Sequence, residues 1–389
     1  MDTLNLPAPP DYGGRSLANL MASLSAGLGG PLPPQGPLAA LPPEAVGGHR
    51  HVVLVLVDGL GDAFLQGQPA PFLNGHRLAG IESVFPTTTA SGITTVLTGD
   101  TPAVHGLTGW HVHFRELGAV LAVLPGVPRY GGVGYDQAQV DLGRLLGHHS
   151  LFDRLPVASA LVTPEHIART PFNAAHQGRA RLYPFKGLDH MVEQVVTAVR
   201  GGDTPRFVYA YWPDLDARGH EHGPDGAETR RHLQQVDTAL AALARRLAGT
   251  DTLLLVTADH GMVAARHRAD LADHPGIARC LALPLCGEPR VAFAYVRHGW
   301  HETFARRVRE ELGHACTLVP SHRLLERGWF GPGRHHPELE TRIGDFALVM
   351  HPGWVLQDRI LGREPHPMAG VHGGLDRREV EIPLVRALC

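Results

Sequence analysis

The stretch HVVLVLVDGLGD, residues 51–62, holds an unbroken apolar run from Val52 to Val57 and stops at Asp58, with glycines on either side of Leu60 just beyond. A run with no polar alternation suits a strand covered on both faces, the central position of a parallel sheet. The pattern returns in RFVYAYWPDLD (206–216) and in TLLLVTADHG (252–261), and each run ends on an aspartate. Between these strands lie helical patterns. Over 226–248, Leu233, Val236, Leu240, Leu243 and Leu247 form one apolar stripe. The alternation predicts an α/β fold, a doubly wound and mainly parallel sheet with helices on both faces. Ligands of such sheets sit beyond the carboxyl ends of the strands, where the aspartates fall.

The flanking segments read differently. Residues 1–48 form a Pro/Gly-rich lead-in, in which Leu17, Leu20, Met21, Leu24 and Leu28 stand at helical spacing behind Ser16 as cap and predict a short docked helix. From 262 to 365 the rhythm breaks. RVAFAYV and DFALVMH read as strands and 301–312 as a helix, so this segment is expected to be an inserted α+β cap subdomain, with 49–261 and 366–389 making the catalytic α/β domain.

The 389 residues are enough for a sizeable core, and a net charge of -3 with 19% charged and 43% hydrophobic residues describes a soluble globular chain. No basic field points to bulk nucleic-acid binding, and no run is long enough to span a membrane. The amino terminus lacks a basic start and an apolar signal region, so the expected location is cytoplasmic. Cys280, Cys286, Cys316 and Cys389 have no paired spacing and read as structural thiols. The 26 histidines raise the question of which hold metal. Nothing in the sequence speaks to oligomeric state.

Three short motifs carry the chemistry. In DLDARGHEHGP, Asp216 and His220 are four apart; in TADHGM, Asp259 and His260 are adjacent at a strand end; in GVHGG, His372 lies among glycines. Carboxylate with imidazole suits zinc, manganese or iron rather than calcium or magnesium. Each motif alone is a common turn, but their order along strands that point the same way makes coincidence the poorer account. A fourth stretch, FPTTTASGITTVLTG (85–99), sets three threonines behind a proline and before the helical pattern Ile93, Val96, Leu97.

On these motifs the sequence resembles the alkaline phosphatase superfamily and, within it, the nucleotide pyrophosphatase/phosphodiesterase family, over about residues 51 to 375. The resemblance implies one divalent metal held by Asp216, His220 and His372, and a second held by Asp58, Asp259 and His260 and touching a threonine hydroxyl. The second threonine of the family's Pro-Thr-x-Thr turn, here Thr89, is implied to be the nucleophile, forming a phosphothreonine intermediate. Thr87 and Thr88 are then expected as turn and capping residues, with Thr88 the alternative nucleophile. The implied substrate is a small phosphate ester or nucleotide.

The sequence departs from that family where HGLTGWHVHF puts Trp110 at the place of an expected asparagine. Trp110 is a candidate for stacking on substrate, and His111 or His113 for the missing donor; two histidines two apart on a strand share a face. Arg218, inside the Asp216–His220 segment, is a candidate contact for a second phosphate charge, and Tyr211, Trp212 and Trp329 are candidate stacking residues. No Cys/Ser-x-Pro-x-Arg segment is present, which disfavours a sulfatase. A phosphomonoesterase, a phosphonate hydrolase, and a metal-binding relative without turnover stay open as alternatives.

Overall fold

A computed structural model describes residues 6–202, 206–358 and 368–389. The start of the lead-in and the predicted junction between insertion and carboxyl-terminal segment, 359–367, lie outside the described residues. The central sheet has seven strands in the order Arg77–Glu82, Glu381–Leu388, Thr252–Thr257, His51–Val57, Arg206–Trp212, Ala158–Pro164, Arg181–Phe185. The last five run parallel to one another, and Glu381–Leu388 pairs antiparallel with Thr252–Thr257 and with Arg77–Glu82. The apolar runs explain this order. His51–Val57 and Thr252–Thr257 are buried along their whole lengths, which requires packing on both faces.

Two helix groups provide that cover. Leu17–Gly27 packs on Thr89–Thr98, while Leu188–Arg200 packs on Ala227–Leu247 and on the strands beneath it. Ser16 caps Leu17–Gly27 with a full capping box to Asn19. The stripe Leu233, Val236, Leu240, Leu243, Leu247 is buried, as its spacing requires. Among the described residues no helix is long and apolar enough to cross a membrane.

A second seven-stranded sheet has the order Cys316–Pro320, Phe346–Met350, Val291–Ala294, Cys286–Gly287, His111–Phe114, Ala119–Ala122, Val127–Pro128, and its pairings are antiparallel. This corrects the expected boundary. The cap-like layer is not confined to 262–365, because the 111–128 meander joins it through the pairing of His111 with Gly287. Such pairing between strands far apart in sequence leaves no local trace in either one.

Candidate active site

The two predicted ligand groups assemble. Asp216, His220 and His372 bring one ligand atom each to within 4.8 Å of one another, and so do Asp58, Asp259 and His260. Local structure accounts for the placement. Asp58 and Asp259 follow the buried strands His51–Val57 and Thr252–Thr257, while Asp216 and His220 stand one turn apart on the helix Asp214–His222 that follows Arg206–Trp212. His372 follows the short strand Gly370–Val371, and its ring stacks on that of His260 with centroids 3.7 Å apart.

The donor set fits cations. His260 turns Nδ1 to the Gly261 carbonyl at 2.9 Å, His220 to the Gly370 carbonyl at 2.8 Å and His372 to the Thr87 carbonyl at 3.2 Å. A ring that donates through Nδ1 presents its Nε2 lone pair on the other side, and here each Nε2 faces carboxylates. Opposite them, Asp58 Oδ1, Asp216 Oδ1 and Asp259 Oδ2 are buried with no hydrogen-bond partner among the described residues. Orphaned buried carboxylate oxygens are expensive unless a cation meets them, so these residues fit two divalent ions.

The electrostatics agree. Burial pushes Asp58 well above the usual carboxylate range, and the charges of Asp259 and Asp216 add to it. Asp259 is raised too, by burial first. Burial works against charge on Asp216 and His220 as well, but their mutual attraction prevails: the Asp216 carboxyl is held below its usual range and the His220 ring is carried up to about 9. Burial and the neighbouring His260 keep His372 neutral.

Thr89 opens the helix Thr89–Thr98, and its hydroxyl lies 3.1 Å from His260 Nε2. At Gly92, an added Cβ would come within 2.7 Å of Asp259 Cβ, so only glycine lets this helix press against the ligand loop. The capping expectation needs correcting. Thr88 occupies the N-cap position, yet its hydroxyl makes no bond to the helix and donates instead to Glu288 Oε1, while Thr87 donates to the Gly374 carbonyl at 2.8 Å. Among the described residues, the N-cap Thr88 gives no side-chain bond to the first-turn N–H groups, which is the state in which a helix start receives an anion.

The profile of the type I phosphodiesterase/nucleotide pyrophosphatase family matches residues 52–375. The chain belongs to that family. Among curated relatives, the mouse GPI ethanolamine phosphate transferase 3 catalytic subunit is 36% identical over 72 residues, which is 18% of this chain and 6% of that protein. Murine ectonucleotide pyrophosphatase/phosphodiesterase 5 shares the fold at a TM-score of 0.66 and 18% identity, over 86% of this chain and 87% of that one. Phosphonoacetate hydrolase from Sinorhizobium meliloti 1021 shares it at 0.61 and 19% identity, over 87% and 90%. The architecture is thus that of the alkaline phosphatase superfamily.

The substrate-contact candidates of this phosphodiesterase-family chain fare unevenly. Trp110 is 36% exposed, with its amide on Glu288 Oε1 at 2.7 Å. His111 and His113 do share a face of the strand His111–Phe114, both half-buried. His113 packs its ring edge-on against Tyr295, and His111 pairs with Gly287; neither joins a ligand group. Arg218 is exposed on the helix Asp214–His222, where its charge is felt by Glu228 and His232. Trp212 is buried between Phe185 and His232, and Trp329 is buried against Phe85, so neither is a stacking platform for substrate. Tyr211 donates its hydroxyl to Asp58 Oδ2 at 2.5 Å and orients that carboxylate.

Sequence reading missed Glu288. It follows the strand Cys286–Gly287 in CGEPR, a turn with no periodic signal, and reaches the threonine turn from 200 residues away. Burial pushes its carboxyl up to about 7, against the bonds from Thr88 and Trp110 that favour the charged form. A second missed feature supports it: Arg290, wholly buried, pairs with Glu379 at 2.9 Å and donates to the His351 and Trp354 carbonyls. Glu379 in turn accepts from the Gly374 amide, so this pair ties the second sheet to the His372 loop.

Proposed function

We propose that the chain is a metal-dependent phosphodiesterase or nucleotide pyrophosphatase that cleaves small phosphate esters through attack by the Thr89 hydroxyl. The observation that supports this reading best is that hydroxyl at 3.1 Å from His260 Nε2, at an uncapped helix start, among three carboxylate oxygens without partners. Asp58, Asp259 and His260 would hold one cation and Asp216, His220 and His372 the other, and the mixed carboxylate–imidazole set suits zinc. Cations bound there supply Lewis-acid charge to a phosphoryl group and make a nearby hydroxyl a stronger nucleophile.

The protein's own part is positioning and exclusion of water. Thr89 is buried at the start of its helix and its hydroxyl meets His260 Nε2, so its oxygen is aimed rather than free to rotate through solvent. The first-turn N–H groups would receive a non-bridging phosphoryl oxygen. In the first half-reaction the Thr89 hydroxyl gives up its proton, the bond from Oγ1 to phosphorus forms and the ester bond to the leaving oxygen breaks, the proton passing to the departing alcohol or to solvent. In the second, water breaks the phosphothreonine and restores the hydroxyl.

Elemental analysis, paired with turnover of bis(4-nitrophenyl) phosphate and of 4-nitrophenyl phosphate before and after chelation, tests the reading. Two metals per chain and chelator-sensitive diester cleavage are expected. No bound metal, with activity indifferent to chelation and to added zinc or manganese, would overturn it.

A further inference from the structure

Four histidines outside both ligand groups, His105, His148, His176 and His336, gather beside the helix Thr89–Thr98. Two of them are fully committed. His105 accepts from the Leu107 amide through Nδ1 and so donates through Nε2 to Thr95, each at 3.1 Å. His336 accepts from the Glu338 amide through Nδ1 and donates through Nε2 to the Leu146 carbonyl at 2.8 Å. The other two face each other: His148 Nε2 lies 2.6 Å from His176 Nε2. His148 comes from the loop between Leu142–Leu146 and Leu151–Arg154, and His176 from the end of the helix Pro171–Gln177.

No placement of protons satisfies this pair. His176 turns Nδ1 to the Phe172 carbonyl at 2.7 Å, so its proton is on Nδ1 and its Nε2 carries a lone pair. His148 Nδ1 is buried without a hydrogen-bond partner among the described residues, and the backbone of His105 beside this ring favours a proton on it. A proton on His148 Nε2 makes one bond to His176 and leaves Nδ1 an orphaned acceptor. A proton on Nδ1 instead sets two lone pairs against each other. A charged ring is no escape near neutral pH. Burial and the neighbouring His176 and His105 push His148 far down, and burial brings His176 down to about 4.

A metal cation between the two Nε2 atoms removes the conflict. It takes both lone pairs and lets each Nδ1 keep its proton, the arrangement found at His260, His220 and His372. Two neutral imidazoles without a carboxylate suit zinc, copper or nickel and not calcium or magnesium. His176 is fully buried, but His148 is half-buried, which leaves the pair reachable from solvent.

We propose that His148 and His176 form a further metal site, separate from the active site, for one transition ion of the zinc class. The ion would clip the 147–150 loop to Pro171–Gln177. Leu151–Arg154 and Pro171–Gln177 both pack on Thr89–Thr98, so the clip braces the helix that Thr89 begins without touching the reacting atoms. With two protein ligands it binds more weakly than either active-site group, and it fills only when zinc is added.

The test is equilibrium dialysis against saturating zinc, followed by elemental analysis, on the wild type, His148→Ala and His149→Ala. His148→Ala should bind one zinc fewer per chain than the wild type and lose part of the rise in Tm that zinc gives, with diester turnover unchanged. His149 is exposed next to the pair, and its variant should bind as the wild type does. Equal zinc in the wild type and His148→Ala would leave only a bond between two rings and overturn the proposal. An equal loss in His149→Ala would mean scattered surface binding and sink it too. The chains compared share one active site, so the difference decides whether that site holds two ions or none. Should His148→Ala fail to fold, zinc-soaked crystals of the wild type decide by anomalous scattering. A peak about 2.0–2.1 Å from both Nε2 atoms supports the site, and no peak between the rings refutes it.

Discussion

Thr89 Oγ1 lies 3.1 Å from His260 Nε2, whereas the hydroxyl of Thr88, one residue earlier, is turned away to Glu288. Two adjacent threonines are thereby given different work. Thr89→Ala should lower kcat on a nitrophenyl diester by on the order of 10³-fold or more, as loss of a nucleophile does, with both metals retained by elemental analysis. Thr88→Ala should cost much less, since it removes a support and not the attacking atom. Equal losses in the two variants would contradict the assignment.

Metal loading should depend on pH through His220. Asp216 carries that ring's pKa up to about 9, and a ligating imidazole must be neutral, so binding displaces a proton. The apparent affinity for zinc should therefore weaken as pH falls below about 9, and calorimetry in buffers of different ionisation enthalpy should record proton release. Asp216→Asn removes the group that holds the proton and also a ligand; it should lower stoichiometry by one metal and flatten the pH dependence.

The buried pair Arg290–Glu379 predicts a stability effect distinct from catalysis. Arg290→Met leaves the Glu379 charge buried without its partner and should destabilise the fold by about 3–5 kcal/mol in urea unfolding. Adding Glu379→Gln in the same chain should recover part of that loss, because the glutamine can still accept from the Gly374 amide without a charge. A double variant no more stable than Arg290→Met would show that the charge is not what matters.

Glu288 predicts a pH window. Its pKa rises from 4.5 in an exposed chain to about 7 in the fold, so the folded protein keeps a proton that the unfolded chain has released. Stability from this group is full below about pH 4.5 and is lost as pH rises through about 7. In chelator-treated protein, the difference in unfolding free energy between wild type and Glu288→Gln should change across that window and stay flat above it.

Much of the fold was legible because it rests on local patterns. Unbroken apolar runs bounded by glycines suit strands buried on both faces, and the aspartates that end them fall where a parallel sheet opens. The grouping of Asp216 with His220 follows from helical spacing alone. What could not be read depends on partners distant in sequence. Nothing in HVHF announces that it pairs with Gly287, and nothing in CGEPR marks Glu288 as lying beside Thr88. The capping role assigned to Thr88 failed for the same reason, since a competing acceptor from another sheet took its hydroxyl.

The second sheet is spliced from two separated pieces of chain, 111–128 and 286–350, and its innermost turn carries Glu288 and Arg290 into the site. An exchange of this layer between relatives therefore cannot be made as a single cassette. Replacing 262–365 alone would strand the meander that Gly287 pairs with and remove the acid that positions Thr88. Any successful chimera has to carry both pieces together, because each supplies strands that the other must pair with.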